Sequence, residues 1–163
     1  MKPVVAVLVV CSSLAAWSCS APQPPQFGQQ EATRIRERTR DYARAFNEQD
    51  ADKVAAFYPG EGVFMPPNAA TVRGRDAIRD FYKLLYAEGA TNLTIASKDV
   101  GGSGTLAYES GTFGLDRHPA SDTASHDRGK YLFVWRYYPM QKAWLIDYTI
   151  WSSDLPQPLP LTP

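Results

Sequence analysis

The chain has 163 residues, enough for one domain with its own hydrophobic core. Lysine plus arginine and aspartate plus glutamate number 17 each, and this balance argues against a nucleic-acid-binding protein, which would carry a basic excess on one face. Both cysteines, Cys11 and Cys19, lie near the N-terminus, so the rest of the chain has no disulfide and no thiolate metal site.

The N-terminus has the pattern of an export signal. A short basic start precedes an apolar run, residues 4–17, which is too short to span a bilayer comfortably. We therefore predict a signal peptide over residues 1–18. The sequence around Cys19 resembles a bacterial lipobox, although ordinary cleavage at the same bond is an alternative. The protein is expected to be periplasmic or membrane-anchored through a lipid on Cys19, or else secreted.

Two proline-rich segments bound the predicted domain. Residues 19–30 are rich in proline and glutamine and cannot bury a core, so we interpret them as a linker. Residues 155–163 are interpreted as a proline-rich tail. The segment between them, residues 31–154, is predicted to form one domain.

The first half of this domain has helical patterns. Apolar residues at helical spacing predict helices over residues 31–47 and 75–88. Asp50 can cap a short helix over residues 51–58, which Pro59 and Gly60 end. Residues 62–67 are predicted to form a short strand.

The second half is rich in β-branched and aromatic residues. Strands are predicted over residues 92–100, 105–115, 130–138 and 144–151, with a polar loop at 116–128. Helices followed by antiparallel strands indicate an α+β fold, with three helices packed on one face of a curved sheet.

The last predicted strand carries one carboxylate among apolar residues. Strict alternation places Leu145, Asp147, Thr149 and Trp151 on one face. A carboxylate in such a setting is paired, protonated or functional.

Several segments, in the same order and spacing, resemble the DUF4440 branch of the NTF2-like superfamily. This branch is related in fold to SnoaL-like cyclases and ketosteroid isomerases, and the resemblance covers about residues 31–156. The segments are residues 57–58 with 64–67, 74–82, 107–113, 129–136, and 144–146 with 150–156.

The resemblance implies a cone with a pocket between the three helices and the concave face of the sheet. The resemblance often also implies a homodimer, in which the β-sheets of two copies contact each other. It implies no single chemistry, because the fold serves isomerases, cyclases, dehydratases and binding modules.

Matching the isomerases position by position suggests possible site residues. The resemblance puts the oxyanion tyrosine on Tyr42, the base on Pro66, which takes no proton, and a second acid near Val134. Thr149 occupies the position where the DUF4440 pattern commonly has aspartate. Asp147 lies two residues before Thr149, at the preceding position predicted to face the pocket. Asp147 with Tyr42 is thus the candidate acid–base pair; the alternative is that Asp147 bonds a buried tyrosine or arginine, or lies at the edge of the sheet.

We expect no metal and no cofactor. His118 and His126 lie with Asp122 and Asp127 in the polar stretch, but their spacing matches no strong metal pattern. The glycine-rich segment 101–104 is a hairpin turn that opens no helix, so it is not a phosphate loop.

Three functions are compatible with the sequence. The first is binding of a small apolar molecule in the cone pocket. The second is an isomerase, cyclase or dehydratase using Asp147 and Tyr42. The third is a dimerisation or protein-interaction module. The residues predicted to line the pocket are Tyr58, Phe64, Phe81, Tyr82, Thr149 and Trp151.

Overall fold

A computed structural model describes residues 26–118 and 124–155. The predicted signal peptide, Cys19 and most of the predicted linker and tail lie outside these ranges. Within them, no helix is both long and apolar enough to cross a membrane.

The helices are α1 (Gln29–Asn47), α2 (Ala51–Ala55) and α3 (Arg75–Ala87). The predicted cap is confirmed, because the Asp50 side chain accepts a hydrogen bond from the Lys53 amide at 2.9 Å. The predicted second helix is too long: it ends at Ala55.

The domain begins earlier than predicted. Helix α1 starts at Gln29, inside the stretch interpreted as a linker. Phe27 packs edge-on against Trp144, with ring centroids 6.1 Å apart. The boundary at residue 31 is therefore wrong, since an aromatic contact with the last strand ties residues 27–30 to the core.

The strands form one sheet, in the order β2-β1-β6-β5-β4-β3. All neighbouring pairs are antiparallel except β1 with β6. The strands are β1 (Val63–Met65), β2 (Val72–Arg73), β3 (Ala90–Ser103), β4 (Leu106–Arg117), β5 (Ser125–Tyr138) and β6 (Ala143–Ser153).

The polar stretch 116–128, predicted to be a loop, forms strand at both of its ends. Asp116 pairs with His126, and Leu115 with Asp127, so β4 and β5 continue into the predicted loop. Backbone pairing extends a hairpin beyond its apolar residues, which the composition did not indicate. The middle of this stretch, residues 119–123, is outside the described ranges.

The helices cover one face of the sheet, and the α+β prediction is confirmed. The inner face of β4, β5 and β6 meets the helices and forms most of the core. Its central cross-strand rows are Ala107–Trp135–Ile146, Glu109–Phe133–Thr149 and Gly111–Tyr131–Trp151.

A bulge in β6 interrupts the strict alternation of side chains that the sequence predicts for this strand. Val134 pairs with Tyr148, whereas Trp135 pairs with Ile146, which leaves Asp147 as an extra residue. Ile146 therefore joins Thr149 on the inner face. The predicted placement of Asp147 on that face is wrong. One extra residue shifts the alternation by one position, so the residues of β6 that precede the bulge exchange their inward and outward directions.

Candidate functional site

Asp147 lies on the outer face of the sheet. Its Oδ2 accepts from Arg136 Nε at 2.6 Å and its Oδ1 from the Tyr138 hydroxyl at 2.9 Å. The hydrogen bond to Asp147 raises the pKa of Arg136. The structure thus gives Asp147 an arginine and a tyrosine as partners and does not bring it to Tyr42 on the inner side.

Tyr42 belongs to a closed network of phenols. The side chains of Tyr42, Tyr58 and Tyr82 are fully buried. The hydroxyls of Tyr42 and Tyr82 share a short hydrogen bond. The Tyr58 hydroxyl lies 3.4 Å from that of Tyr82 and 3.0 Å from Thr149 Oγ1. Burial raises the pKa of all three phenols, so they stay neutral.

This network corrects part of the predicted pocket. Tyr58, Tyr82 and Thr149 contact one another in a filled interior. Phe64 also stacks on Tyr82, with centroids 5.7 Å apart. These hydroxyls are satisfied by each other, and they do not line an open cavity in this conformation.

The other three predicted pocket residues do surround an opening. Phe64 packs against Phe81 and Trp151, with ring centroids 5.0 Å and 5.9 Å apart. Beside them is a cleft of about 40 Å³, here called the aromatic cleft. Its lining is Phe64, Pro66, Pro67, Phe81, Leu85, Leu115, Arg117, Asp127 and Trp151.

Two hydrogen-bond donors belong to the lining of the aromatic cleft. Trp151 Nε1 and Arg117 Nε are buried and have no partner among the described residues. Asp127, the acidic member of the lining, accepts from the Ser153 hydroxyl at 2.6 Å. The cleft therefore combines apolar walls with two free donors, a set that can bind an oxygen acceptor.

A carboxyl group in the interior, that of Glu109, was not predicted from the sequence. It lies on the inner face of β4 and is fully buried. Its Oε2 accepts from the Thr39 hydroxyl of α1 at 2.5 Å and from Trp135 Nε1 at 3.2 Å. Its Oε1 has no hydrogen-bond partner among the described residues.

Two further hydroxyls, those of Ser97 and Tyr131, surround Glu109. Both are buried and neither has a well-formed hydrogen bond to the described residues. Burial raises the pKa of Glu109, although Thr39, Ser97, Trp135 and Tyr131 each lower it. A protonated carboxyl group can donate to one of these hydroxyls, which removes two unsatisfied atoms together.

A groove of about 340 Å³ opens between α1 and β3, directly above this group. We call it the α1–β3 groove. Thr39 is buried and Arg40 is exposed, so the hydroxyls lie at the floor and the arginines at the rim. Its lining is Arg36, Thr39, Arg40, Ala43, Ile95 and Ser97.

A larger groove, of about 430 Å³, lies between α1 and α2. Two of the three cations in its lining are paired, Arg44 with Asp41 and Lys53 with Glu48. The Arg38 guanidinium lies 4.7 Å from the centroid of the Phe57 ring. Arg38 Nε is buried without a hydrogen-bond partner among the described residues, whereas the other charges of this wall are paired with one another.

The histidines of the polar stretch do not assemble a metal site. No group of three or more possible metal-ligating side chains occurs within residues 26–118 and 124–155. His126 Nδ1 lies 2.6 Å from Asp116 Oδ1, and this contact lowers the pKa of Asp116. Asp122 lies outside the described residues.

The family model for the SnoaL-like domain matches residues 39–137, more than half of the chain. The chain belongs to the SnoaL-like domain family. A search of curated protein sequences returns no match. Membership in the DUF4440 branch stays a prediction.

Solved structures show the same NTF2-like cone for this SnoaL-like domain. A ketosteroid isomerase-like protein from Erwinia carotovora atroseptica superposes with a TM-score of 0.71 and 22% identity, over 79% of this chain and 100% of that one. An NTF2-like superfamily protein from Salmonella enterica gives 0.66 and 16% identity, over 82% and 97%. An NTF2-like protein from Novosphingobium aromaticivorans gives 0.61 and 20%, over 74% and 79%. At these identities the likeness shows the fold alone.

Alternation within β4 of the SnoaL-like domain contains the signal that reveals Glu109. Ala107, Glu109, Gly111 and Phe113 alternate with polar or exposed residues, which places a carboxylate on the apolar face. The same alternation does not hold in β6, where a bulge at Asp147 interrupts it.

Proposed function

We propose that this SnoaL-like protein binds a small, mainly apolar molecule in the aromatic cleft, with an oxygen acceptor of the molecule directed at Trp151 and Arg117. The observation that carries the proposal is the pair of buried donors without partners in an apolar lining. Buried donors are nearly always satisfied in folded proteins, and apolar walls with a few convergent polar groups are typical of small-molecule sites.

The size of the aromatic cleft sets a condition on this binding. At about 40 Å³ it holds little more than water, so a larger molecule must displace part of the wall. Pro66 and Pro67 form one side of that wall. Proline has no N–H, so neither residue donates a backbone hydrogen bond that would be broken on opening.

Native mass spectrometry of the protein purified from a bacterial host tests this function. The wild-type protein should carry a co-purified small molecule, and Trp151→Phe should lose it, because the ring is kept and the N–H donor is removed. Tyr148→Phe is the matched control: it also removes a polar group from an aromatic residue of β6, but on the outer face. An empty wild-type protein, or equal loss in both variants, would contradict the proposal.

The isomerase, cyclase or dehydratase alternative has less support from the geometry. It needs Asp147 and Tyr42 at one site, whereas Asp147 is bound to Arg136 on the outer face and Tyr42 to Tyr82 in the core. A proton-transfer residue must lie within hydrogen-bond reach of the reacting atoms.

We also propose that the outer face of the sheet joins two copies of the chain. Five large apolar side chains on this face of β4, β5 and β6 are exposed, and Tyr108 and Tyr148 flank Val134 in one cross-strand row. A contiguous apolar patch on a sheet indicates a protein interface. The five side chains are Leu106, Tyr108, Leu132, Tyr148 and Ile150.

Light scattering coupled to size-exclusion chromatography tests the dimer. Ile150→Lys should convert a dimer to a monomer by placing a charge in the patch. Leu84→Lys is the control, because Leu84 is 66% exposed on α3 and lies outside the patch. A wild-type protein that elutes as a monomer, or a dimer that survives Ile150→Lys, would contradict this proposal.

Export and lipidation of Cys19 are further proposals. They rest on the apolar run of residues 4–17 and on the lipobox-like sequence that ends at Cys19. Mass spectrometry of the membrane fraction should show a mature N-terminus at a diacylated Cys19, and Cys19→Ala should release the protein from that fraction. An unmodified N-terminus would contradict the anchor.

A further inference from the structure

The α1–β3 groove is separate from the aromatic cleft. The two share no lining residue. The groove is larger than the cleft, and its volume of about 340 Å³ lies within the range of about 300–1,000 Å³ that is typical of small-molecule sites. It is therefore open to a ligand in the conformation described.

The rim of the groove is cationic. Arg36 is half-buried there, and no ion pair or hydrogen bond of its guanidinium is found within the described residues. Arg40 beside it is exposed, and its one ion pair, to Glu37, is long at 4.0 Å. A half-buried guanidinium without a carboxylate is a strong partner for an anion, because it presents several N–H donors in one plane.

The floor of the groove is polar and its walls are partly apolar. The Ser97 hydroxyl is buried with no partner among the described residues, and Thr39 donates its proton to Glu109. Thr39 therefore keeps an oxygen that can accept, and Ser97 keeps a hydroxyl that can donate or accept. Ile95 and Ala43 supply the apolar surface between floor and rim.

Glu109 acts on this floor from beneath. Its side chain is fully buried and faces Thr39, Ser97, Tyr131 and Trp135. It is a positioning residue for Thr39, because its Oε2 accepts a hydrogen bond from the Thr39 hydroxyl at 2.5 Å and so fixes the orientation of that hydroxyl. Burial raises the pKa of Glu109, and protonation of this carboxyl group removes its repulsion of a ligand anion.

From these contacts we propose that the α1–β3 groove is a second binding site, for a small organic anion whose carboxylate is bound by Arg36 and whose body lies on Ile95 over the Thr39 and Ser97 hydroxyls. The anion is the recognised group, and the apolar wall selects a short hydrocarbon or aromatic body over a bare inorganic ion.

Titration of the ¹⁵N-labelled full chain with benzoate, followed by amide chemical shifts, tests this site. Benzamide is the uncharged probe of the same shape, and inorganic phosphate is the anion without an apolar body. Benzoate should shift the amides around residues 36–43 and 95–97 along a saturable curve. Benzamide and phosphate should bind at least tenfold more weakly.

Three variants locate the interaction. Arg36→Gln should weaken benzoate binding at least tenfold, whereas Arg44→Gln should leave it unchanged, because Arg44 is paired with Asp41 and lines the groove on the α2 side. Ser97→Ala should weaken binding roughly threefold to tenfold, as expected for one hydrogen bond. The amide resonances of all three variants report whether the fold is intact.

Several outcomes would overturn the site. These are equal binding of benzoate and benzamide, shifts without saturation, or equal affinities for Arg36→Gln and Arg44→Gln. The resonance of the Trp151 indole is monitored in the same spectra, so loss of this site and loss of the aromatic-cleft function are distinguished.

Discussion

The indole N–H of Trp135 donates to Glu109 Oε2 at 3.2 Å, in an interior where neither side chain is exposed to solvent. The donor lies on β5 and the acceptor on the adjacent strand β4. The same oxygen accepts from Thr39 of α1, so one carboxyl oxygen joins the first helix to the sheet.

Replacement of Glu109 tests how much these hydrogen bonds contribute to the free energy of unfolding. Glu109→Leu leaves the buried Trp135 N–H without an acceptor and should cost about 1–3 kcal/mol in the free energy of unfolding. Glu109→Gln keeps an oxygen acceptor and should cost less than about 1 kcal/mol at pH 7. Urea denaturation of both variants measures the difference. Equal stabilities of the two variants would show that the bond is energetically unimportant.

The raised pKa of Glu109 predicts a pH dependence of stability. Both folded and unfolded forms are protonated below the usual value of 4.5. As the pH rises, the unfolded carboxyl ionises first, so the stabilisation by the protonated form is lost as the pH passes through the raised folded pKa. Relative to Glu109→Gln, which stays neutral, the wild-type protein should lose stability as the pH rises above 4.5, until the folded carboxyl group ionises. Unfolding free energies of both proteins at pH 4, 5, 6 and 7 measure this trend; a constant difference would refute it.

The phenol network predicts unequal effects of two similar substitutions. Tyr82→Phe removes the hydroxyl that pairs with Tyr42 and should cost about 1–3 kcal/mol, because it leaves a buried phenol without its partner. Tyr42→Phe should cost about 1 kcal/mol, since Tyr82 keeps Tyr58. The double variant should cost less than the sum of the two, as thermal or urea unfolding will show. Additive costs would mean that the two hydroxyls are not coupled.

Asp147 is predicted to be a minor structural residue. Asp147→Asn should cost about 1 kcal/mol or less, because the Arg136 side chain is 46% exposed and asparagine still accepts from Tyr138. It should leave the molecule bound in the aromatic cleft unchanged by native mass spectrometry. If the Asp147→Asn variant keeps its fold but loses that molecule, Asp147 contributes to the binding site and the prediction is wrong.

Much of the fold follows from local patterns. The apolar spacing of α1 and α3, the Asp50 cap and the β-branched runs of the long strands predict the order of elements and the α+β class. These features are local, because helix periodicity and strand alternation depend on residues a few positions apart. Phe64, Phe81 and Trp151, three of the residues predicted to bind a ligand, line the same opening.

The site depended on relations that no local pattern contains. The bulge at Asp147 moved one carboxylate to the outer face, and a 70-residue separation hid the contact of Thr39 with Glu109. Short-range apolar periods were enough to predict the long helices and the long strands, whereas strand β2 and the end of α2 were not predicted. The tertiary structure alone decided which polar groups lose water together, because desolvation depends on packing between distant segments.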